Sequence, residues 1–107
     1  GNENAVCKEF RTLIGRSYIP PRWAFGLAQS RWGYKTEEDV REVARQYKEH
    51  DLPLDMICMD IEYMQDYADF TVNKERFPDL TKLSADLKAQ GIRLVPIIDA
   101  GVRVDPN

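Results

Sequence analysis

The stretch MICMDIEYMQDYADFT, Met56 to Thr71, decides how this chain is read, because within a few residues it passes from core to site. Met56-Ile57-Cys58-Met59 is a short apolar run of the kind that forms a strand buried on both faces. Asp60 follows directly. A carboxylate at that point lies where a parallel strand leaves its sheet, the end at which α/β proteins bind ligands. Glu62, Asp66 and Asp69 come next, interleaved with Tyr63, Tyr67 and Phe70. Acceptor oxygens beside flat apolar faces suit a polyhydroxylated ligand, and the same residues also fit a βα loop whose acids are simply solvated.

Working outward, amphipathic helices flank this strand. Val6, Phe10, Leu13 and Ile14 form one stripe of a short helix that Gly15 is placed to end. Tyr18-Ile19-Pro20-Pro21 is held extended by its prolines. Trp23 to Ala28 alternates large and small side chains and is the expected first strand, with Gly26 admitting a close neighbour. Gln29 to Tyr34 is then its exit loop. Thr36 caps a helix whose first turn carries Glu37, Glu38 and Asp39, and Val40, Val43, Ala44 and Tyr47 turn it onto a sheet. Arg41, Glu42, Arg45, Lys48 and Glu49 make its solvated face. His50, the only histidine, falls near that helix's end and reads as a cation of the last turn. Asp79 or Thr81 caps a third helix lined by Leu80, Leu83 and Leu87 and ended by Gly91. Ile92 to Ile98 is the third strand, and Asp99 follows it.

Strands alternating with amphipathic helices imply right-handed crossovers and a parallel sheet. Three strand exits then share one edge, collecting Gln29, Asp60 and Asp99. Two carboxylates on adjacent strands can hold a divalent cation or accept hydrogen bonds from sugar hydroxyls. With no third carboxylate or histidine beside them, hydroxyls are the better fit, and neither a metal nor a cofactor is expected.

Composition bounds the partner. The 107 residues suit one domain but fall short of a closed barrel, which takes about 250. Fifteen basic and eighteen acidic residues, net charge −3 with no block of one sign, give no sign of nucleic acid or a membrane surface. No apolar run reaches a membrane span and the first residues lack the pattern of a secretion signal, so the expected location is cytoplasmic. Cys7 and Cys58 are too far apart for a metal motif and read as reduced thiols.

Five segments in series carry a family likeness: SRWGY at Ser30–Tyr34, PLDMICMDIEYM at Pro53–Met64, DFT at Asp69–Thr71, RFPD at Arg76–Asp79 and GIRLVPIID at Gly91–Asp99. In order and spacing they resemble glycoside hydrolase family 31, most closely its α-glucosidases, from about Ala5 to Pro106. The resemblance implies a partial (β/α)8 TIM barrel, its opening strands through roughly the third, with residues 1–107 as one segment of the catalytic domain. It implies that Asp60 binds the terminal glucose in the −1 subsite, typically at its 4-hydroxyl. Ile61 would pack beside that sugar, Ile98 would line the same subsite, and Trp32 would border the +1 subsite. Glu62 and Asp99 would brace the loops. Family members are retaining enzymes with two catalytic Asp residues on later strands, so no catalytic residue is expected here and the segment alone should be inactive. The implied partners are a small oligosaccharide and the remainder of the barrel. Two departures stand out: Cys58-Met59 replaces a common Trp-Leu, and Ala100 replaces a usual Pro. An α-xylosidase specificity is the nearest alternative within the family, and Ile61-Glu62-Tyr63-Met64 argues against it. Outside the family the alternative is a self-contained flavodoxin-like binding module, for which two strands and a glycine-rich phosphate loop are missing.

Overall fold

The computed structural model describes residues 1–101; Val102 to Pro106, the last stretch of the family likeness, lie outside them. Helix starts follow the capping chemistry of the sequence. Asn2 caps α1 (Glu3–Ile14) by accepting from the Ala5 N–H at 3.0 Å. At α2 (Glu37–Glu49) the Asp39 N–H donates to Thr36 Oγ1 at 3.2 Å, and the Thr36 N–H donates back to Asp39 Oδ2 at 2.9 Å. This reciprocal box satisfies two of the free donors of a helix start. Asp79, rather than Thr81, caps α3 (Leu80–Ala89), taking the Lys82 N–H at 2.8 Å. His50 is the C-cap of α2, and Gly15 with φ +84° closes α1.

Three parallel strands, β1 (Ala28–Arg31), β2 (Met56–Met59) and β3 (Arg93–Pro96), lie side by side in sequence order. Gln29 pairs with Ile57 and Ile57 with Leu94; Arg31 pairs with Met59 and Met59 with Pro96. Sequential order with right-handed crossovers keeps both connecting helices on one side of the sheet. There Val40, Ala44, Ile57, Met59, Leu83, Leu87 and Phe77 form one core cluster. It is also the order of a barrel opening, whereas a flavodoxin-like sheet places its first strand between the second and third. Arg41 of α2 bonds both Glu37 and Asp86 and so ties α2 to α3. Hydrogen bonds from Lys82 and then Arg41 hold the Asp86 carboxyl below its ordinary range. That tie therefore contributes above the carboxylate's unfolded value and is lost as pH falls through the lower folded one.

Two elements differ from the sequence expectation. Residues 23–28 are not the first strand: Arg22–Phe25 is a 3-10 turn with Pro21 at its N-cap, and β1 begins only at Ala28. The fixed φ of proline favours a turn start at that point, while the four residues Ala-Gln-Ser-Arg show none of the hydrophobic alternation that announces a strand. The third strand is likewise shorter than Ile92–Ile98, running only from Arg93 to Pro96. The apolar stripe of α1 is present but uncovered, with Val6, Phe10, Leu13 and Ile14 all exposed. Strand β2 is sealed on its helix side by Ile57 and Met59, and its Met56 and Cys58 side is half-buried. No helix among the described residues is long and apolar enough to cross a membrane.

The amino ends of the strands are joined through Asp55. Its Oδ2 accepts from the Leu27 N–H at 3.0 Å, its N–H donates to Leu27 O at 2.9 Å, and its carbonyl accepts from the Arg93 N–H at 2.8 Å. Gly26 makes room for this: a Cβ there would stand 2.1 Å from the Asp55 carboxyl carbon. Gly26→Ala is expected to lower stability by about 1–3 kcal/mol through that overlap. Urea denaturation checks it; a midpoint equal to that of the parent contradicts the crowding.

Candidate functional site

The carboxyl ends of the strands open on one rim. Asp60 follows β2 directly, and the Ile97 N–H donates to Met59 O at 3.0 Å, so the exits of β2 and β3 start level. Trp32 is the first residue beyond β1. Asp60, Ile98 and Trp32 thus stand at the same end of the sheet. Below them the inner face holds a shallow hollow of about 200 Å³, lined by Ser30, Cys58, Asp60, Val95 and Ile97 among others. Small side chains from three adjacent strands leave it open.

Asp60 is half-buried and serves as N-cap of a one-turn 3-10 helix, Ile61–Tyr63. Its Oδ1 accepts from the Ile61 N–H at 2.8 Å, while Oδ2 has no partner among the described residues. One oxygen fixes the rotamer and the other is free to accept from a hydroxyl. Ile61 is half-buried and packs on the core cluster. The turn is tied to the next strand exit by the Tyr63 hydroxyl, which donates to Ile97 O at 2.7 Å. Burial, and then the negative charge of Asp69, push the Tyr63 phenol above its ordinary range, so it stays protonated as a donor. Beyond it the loop is closed by Thr71, whose Oγ1 accepts from the Gln65 N–H at 2.9 Å and donates to Ala68 O at 2.6 Å. Asp66, Tyr67 and Phe70 all take positive φ in this loop, and Tyr67 and Phe70 project into solvent.

Trp32 is 69% exposed, which rules out a lid over this chain's core and leaves an open aromatic face on the rim. Gly33 behind it takes φ +109°, a conformation that side chains resist. Ile98 is 46% exposed and Asp99 is exposed with φ +49°.

Gln29 is a correction to the expected edge. It sits within β1, opposite Ile57, not at the strand exit. Its Oε1 accepts from the Tyr47 hydroxyl at 2.7 Å and its Nε2 donates to the Tyr34 hydroxyl at 3.1 Å. The amide therefore anchors α2 and the stem of the Trp32 loop from the helix side. Cys7 and Cys58 are free thiols, and among the described residues no group of His, Cys, Asp and Glu has the arrangement of a metal site. Sequence reasoning did not find the Tyr63 to Ile97 link or the full burial of Glu62. A tyrosine and a glutamate so soon after a strand look like loop residues in the sequence, and only the folded chain brings the tyrosine to the neighbouring exit.

A profile of the glycosyl hydrolases family 31 TIM-barrel domain matches residues 17–107. The chain belongs to that family. Its segment of the family 31 barrel is 52% identical over 102 residues to alpha-glucosidase 2 of Bacillus thermoamyloliquefaciens, covering 95% of this chain and 13% of that enzyme. The solved family 31 alpha-glucosidase of Bacteroides thetaiotaomicron superposes with a TM-score of 0.80 at 38% identity, over 96% of this chain and 18% of the other. A glucosidase II alpha subunit solved with alpha3-Glc2 bound gives 0.81 at 35% identity, over 87% and 10%. The three-stranded family 31 architecture inferred from the sequence is thereby established, and the chain spans only a small part of each relative's length.

Proposed function

We propose that this chain forms the opening strands of the catalytic barrel of a retaining α-glucosidase, which releases terminal non-reducing α-linked glucose from small oligosaccharides. The observation that carries the reading is Asp60, half-buried at the exit of β2 with one carboxylate oxygen engaged by its own turn and the other unengaged. A fixed carboxylate accepts a charge-assisted hydrogen bond from a sugar hydroxyl with little ordering cost. Support comes from the shared rim of Asp60, Ile98 and Trp32, from relatives named alpha-glucosidase, and from a glucosidase II alpha subunit solved with alpha3-Glc2 bound.

In this reading Asp60 holds the −1 glucose, Ile61 and Ile98 give that subsite its apolar wall, and Trp32 offers an aromatic face to the +1 unit. Trp32 is well exposed on the rim, as a stacking platform has to be. The nucleophile and the general acid/base are assigned to later strands, where two carboxylates about 5–5.5 Å apart would flank the scissile bond. The full-length polypeptide is therefore expected to hydrolyse 4-nitrophenyl α-glucoside, and residues 1–107 alone are not. Release of nitrophenol by the isolated segment would overturn the division of labour, and no release by the full-length chain would overturn the reaction.

A further inference from the structure

Tyr63 ends the turn that Asp60 caps, and its ring is 5% exposed in the core cluster. Its backbone is held as well: the Asn73 N–H donates to Tyr63 O at 2.8 Å, and the Met64 N–H closes the turn on Ile61 O at 3.1 Å. A ring fixed on both counts aims its hydroxyl one way. That hydroxyl donates to Ile97 O at 2.7 Å. The Tyr34 and Tyr47 hydroxyls are spent on Gln29 on the helix side, so among the described residues Tyr63 is the tyrosine that joins one strand exit to the next. Ile97 is the first residue beyond β3, and it is gripped from the β2 side at both of its peptide groups. Its N–H donates to Met59 O at 3.0 Å, and its carbonyl is the one Tyr63 takes. The Ile97 carbonyl and the Ile98 N–H belong to one planar unit, so what fixes the first fixes the entry to the second. Side-chain packing adds little here, since Ile97 is 41% and Ile98 46% exposed. Ile97 and Asp60 line the same inner hollow. The distance between these two exits therefore sets the width of its opening.

Resting on the reading above, we infer that Tyr63 is a positioning residue: by holding the Ile97 carbonyl, its hydroxyl sets the Ile98 wall of the −1 subsite at a fixed distance from the Asp60 carboxylate. The acceptor for the sugar and the apolar wall come from different strands, and this bond is the strap between their exits. A hydroxyl suits that task better than more apolar contact, because a hydrogen bond has a preferred length and direction while packing tolerates sliding. Burial, and then Asp69, keep the phenol protonated, so the donor stays in place. The bond is of ordinary strength, yet a shift of about 1 Å in an orienting group costs on the order of 100-fold in rate. Its effect on catalysis therefore exceeds its effect on stability.

The test uses the full-length polypeptide with Tyr63→Phe, alone and combined with Asp60→Ala or with Ile98→Ala. It is read by kcat and KM on 4-nitrophenyl α-glucoside, by Tm and by hydrogen exchange at the Ile97 N–H. Tyr63→Phe keeps the ring and removes one donor. It is expected to lower kcat/KM roughly tenfold, mostly in kcat, because orientation counts most as the transition state forms. Exchange at Ile97 should quicken by about fivefold as the exit loosens. Tm should fall only slightly, since water can take the vacated carbonyl of an exposed residue. With Asp60→Ala or Ile98→Ala already in place, one end of the span is gone, and the Phe change should cost less than about twofold more. Full additivity in either double variant overturns the positioning role, and so does a Phe variant equal to the parent in kcat/KM. A Phe variant that fails to fold makes the hydroxyl a part of the fold's stability and overturns the role equally. A parent that cleaves no α-glucoside overturns the functional reading, and exchange at Ile97 then judges the strap by itself: faster exchange in the Phe variant supports it, unchanged exchange overturns it.

Discussion

Asp60→Ala in the full-length polypeptide is expected to lower kcat/KM for an aryl α-glucoside by roughly 10- to 150-fold, the equivalent of about 1.5–3 kcal/mol for a hydrogen bond to a charged group. The loss should fall on kcat/KM through transition-state binding, since in the proposed function this carboxylate would orient the sugar without bonding to it covalently. Tm should change little, because Asp60 is half-buried at a strand exit and its internal partner is the adjacent Ile61 N–H. Asp60→Asn separates charge from shape and should recover part of the loss. Steady-state kinetics with a parallel melting curve check this. An unchanged kcat/KM removes Asp60 from the sugar site, and a collapse of Tm with activity turns it into a fold residue.

Phe77→Ala carries the largest expected stability loss, about 3–5 kcal/mol for an aromatic side chain removed from a closed core. Phe77 is 0% exposed in the cluster that joins β2, α2 and α3. Its N–H donates to Asn73 O at 2.9 Å, and Asn73 Oδ1 takes the Glu75 and Arg76 N–H groups at 3.1 and 3.0 Å. The Arg76 carbonyl in turn accepts from the Glu37 N–H at the start of α2. Emptying this position therefore loosens the connection between the rim turn and both helices. Denaturation midpoints for the full-length protein measure the effect, with Phe77→Leu as the milder companion. An Ala variant within about 1 kcal/mol of the parent contradicts the packing, given the size of the cavity left.

The helices were legible in the sequence because each carries independent signals that agree. Thr36 with the acids that follow it specifies a start and an inner face together, and Leu80, Leu83 and Leu87 specify an inner face, although the cap of that helix was open between Asp79 and Thr81. Strand β2 was legible for the same reason, an apolar run ending at a carboxylate. Strand β1 was not. Its polar Gln29 is buried against two tyrosine hydroxyls, and Ser30 faces the inner side, so hydropathy does not alternate. The neighbouring Trp23–Ala28 alternates, but Arg22–Phe25 forms a 3-10 turn, and Phe25 and Leu27 are exposed. At the site, the placement of Asp60 followed from chain order alone. The bond from Tyr63 to Ile97 depends on how two loops meet, which spacing does not encode.

The Asp55 junction lies at the end of the sheet away from the rim. Strand alignment is therefore set at the end of the sheet opposite the carboxyl rim. The exposed side chains of Trp32 and Ile98 stand apart from that junction, so under the proposed function single replacements on the rim would alter what it contacts while the foundation beneath it stays as it is.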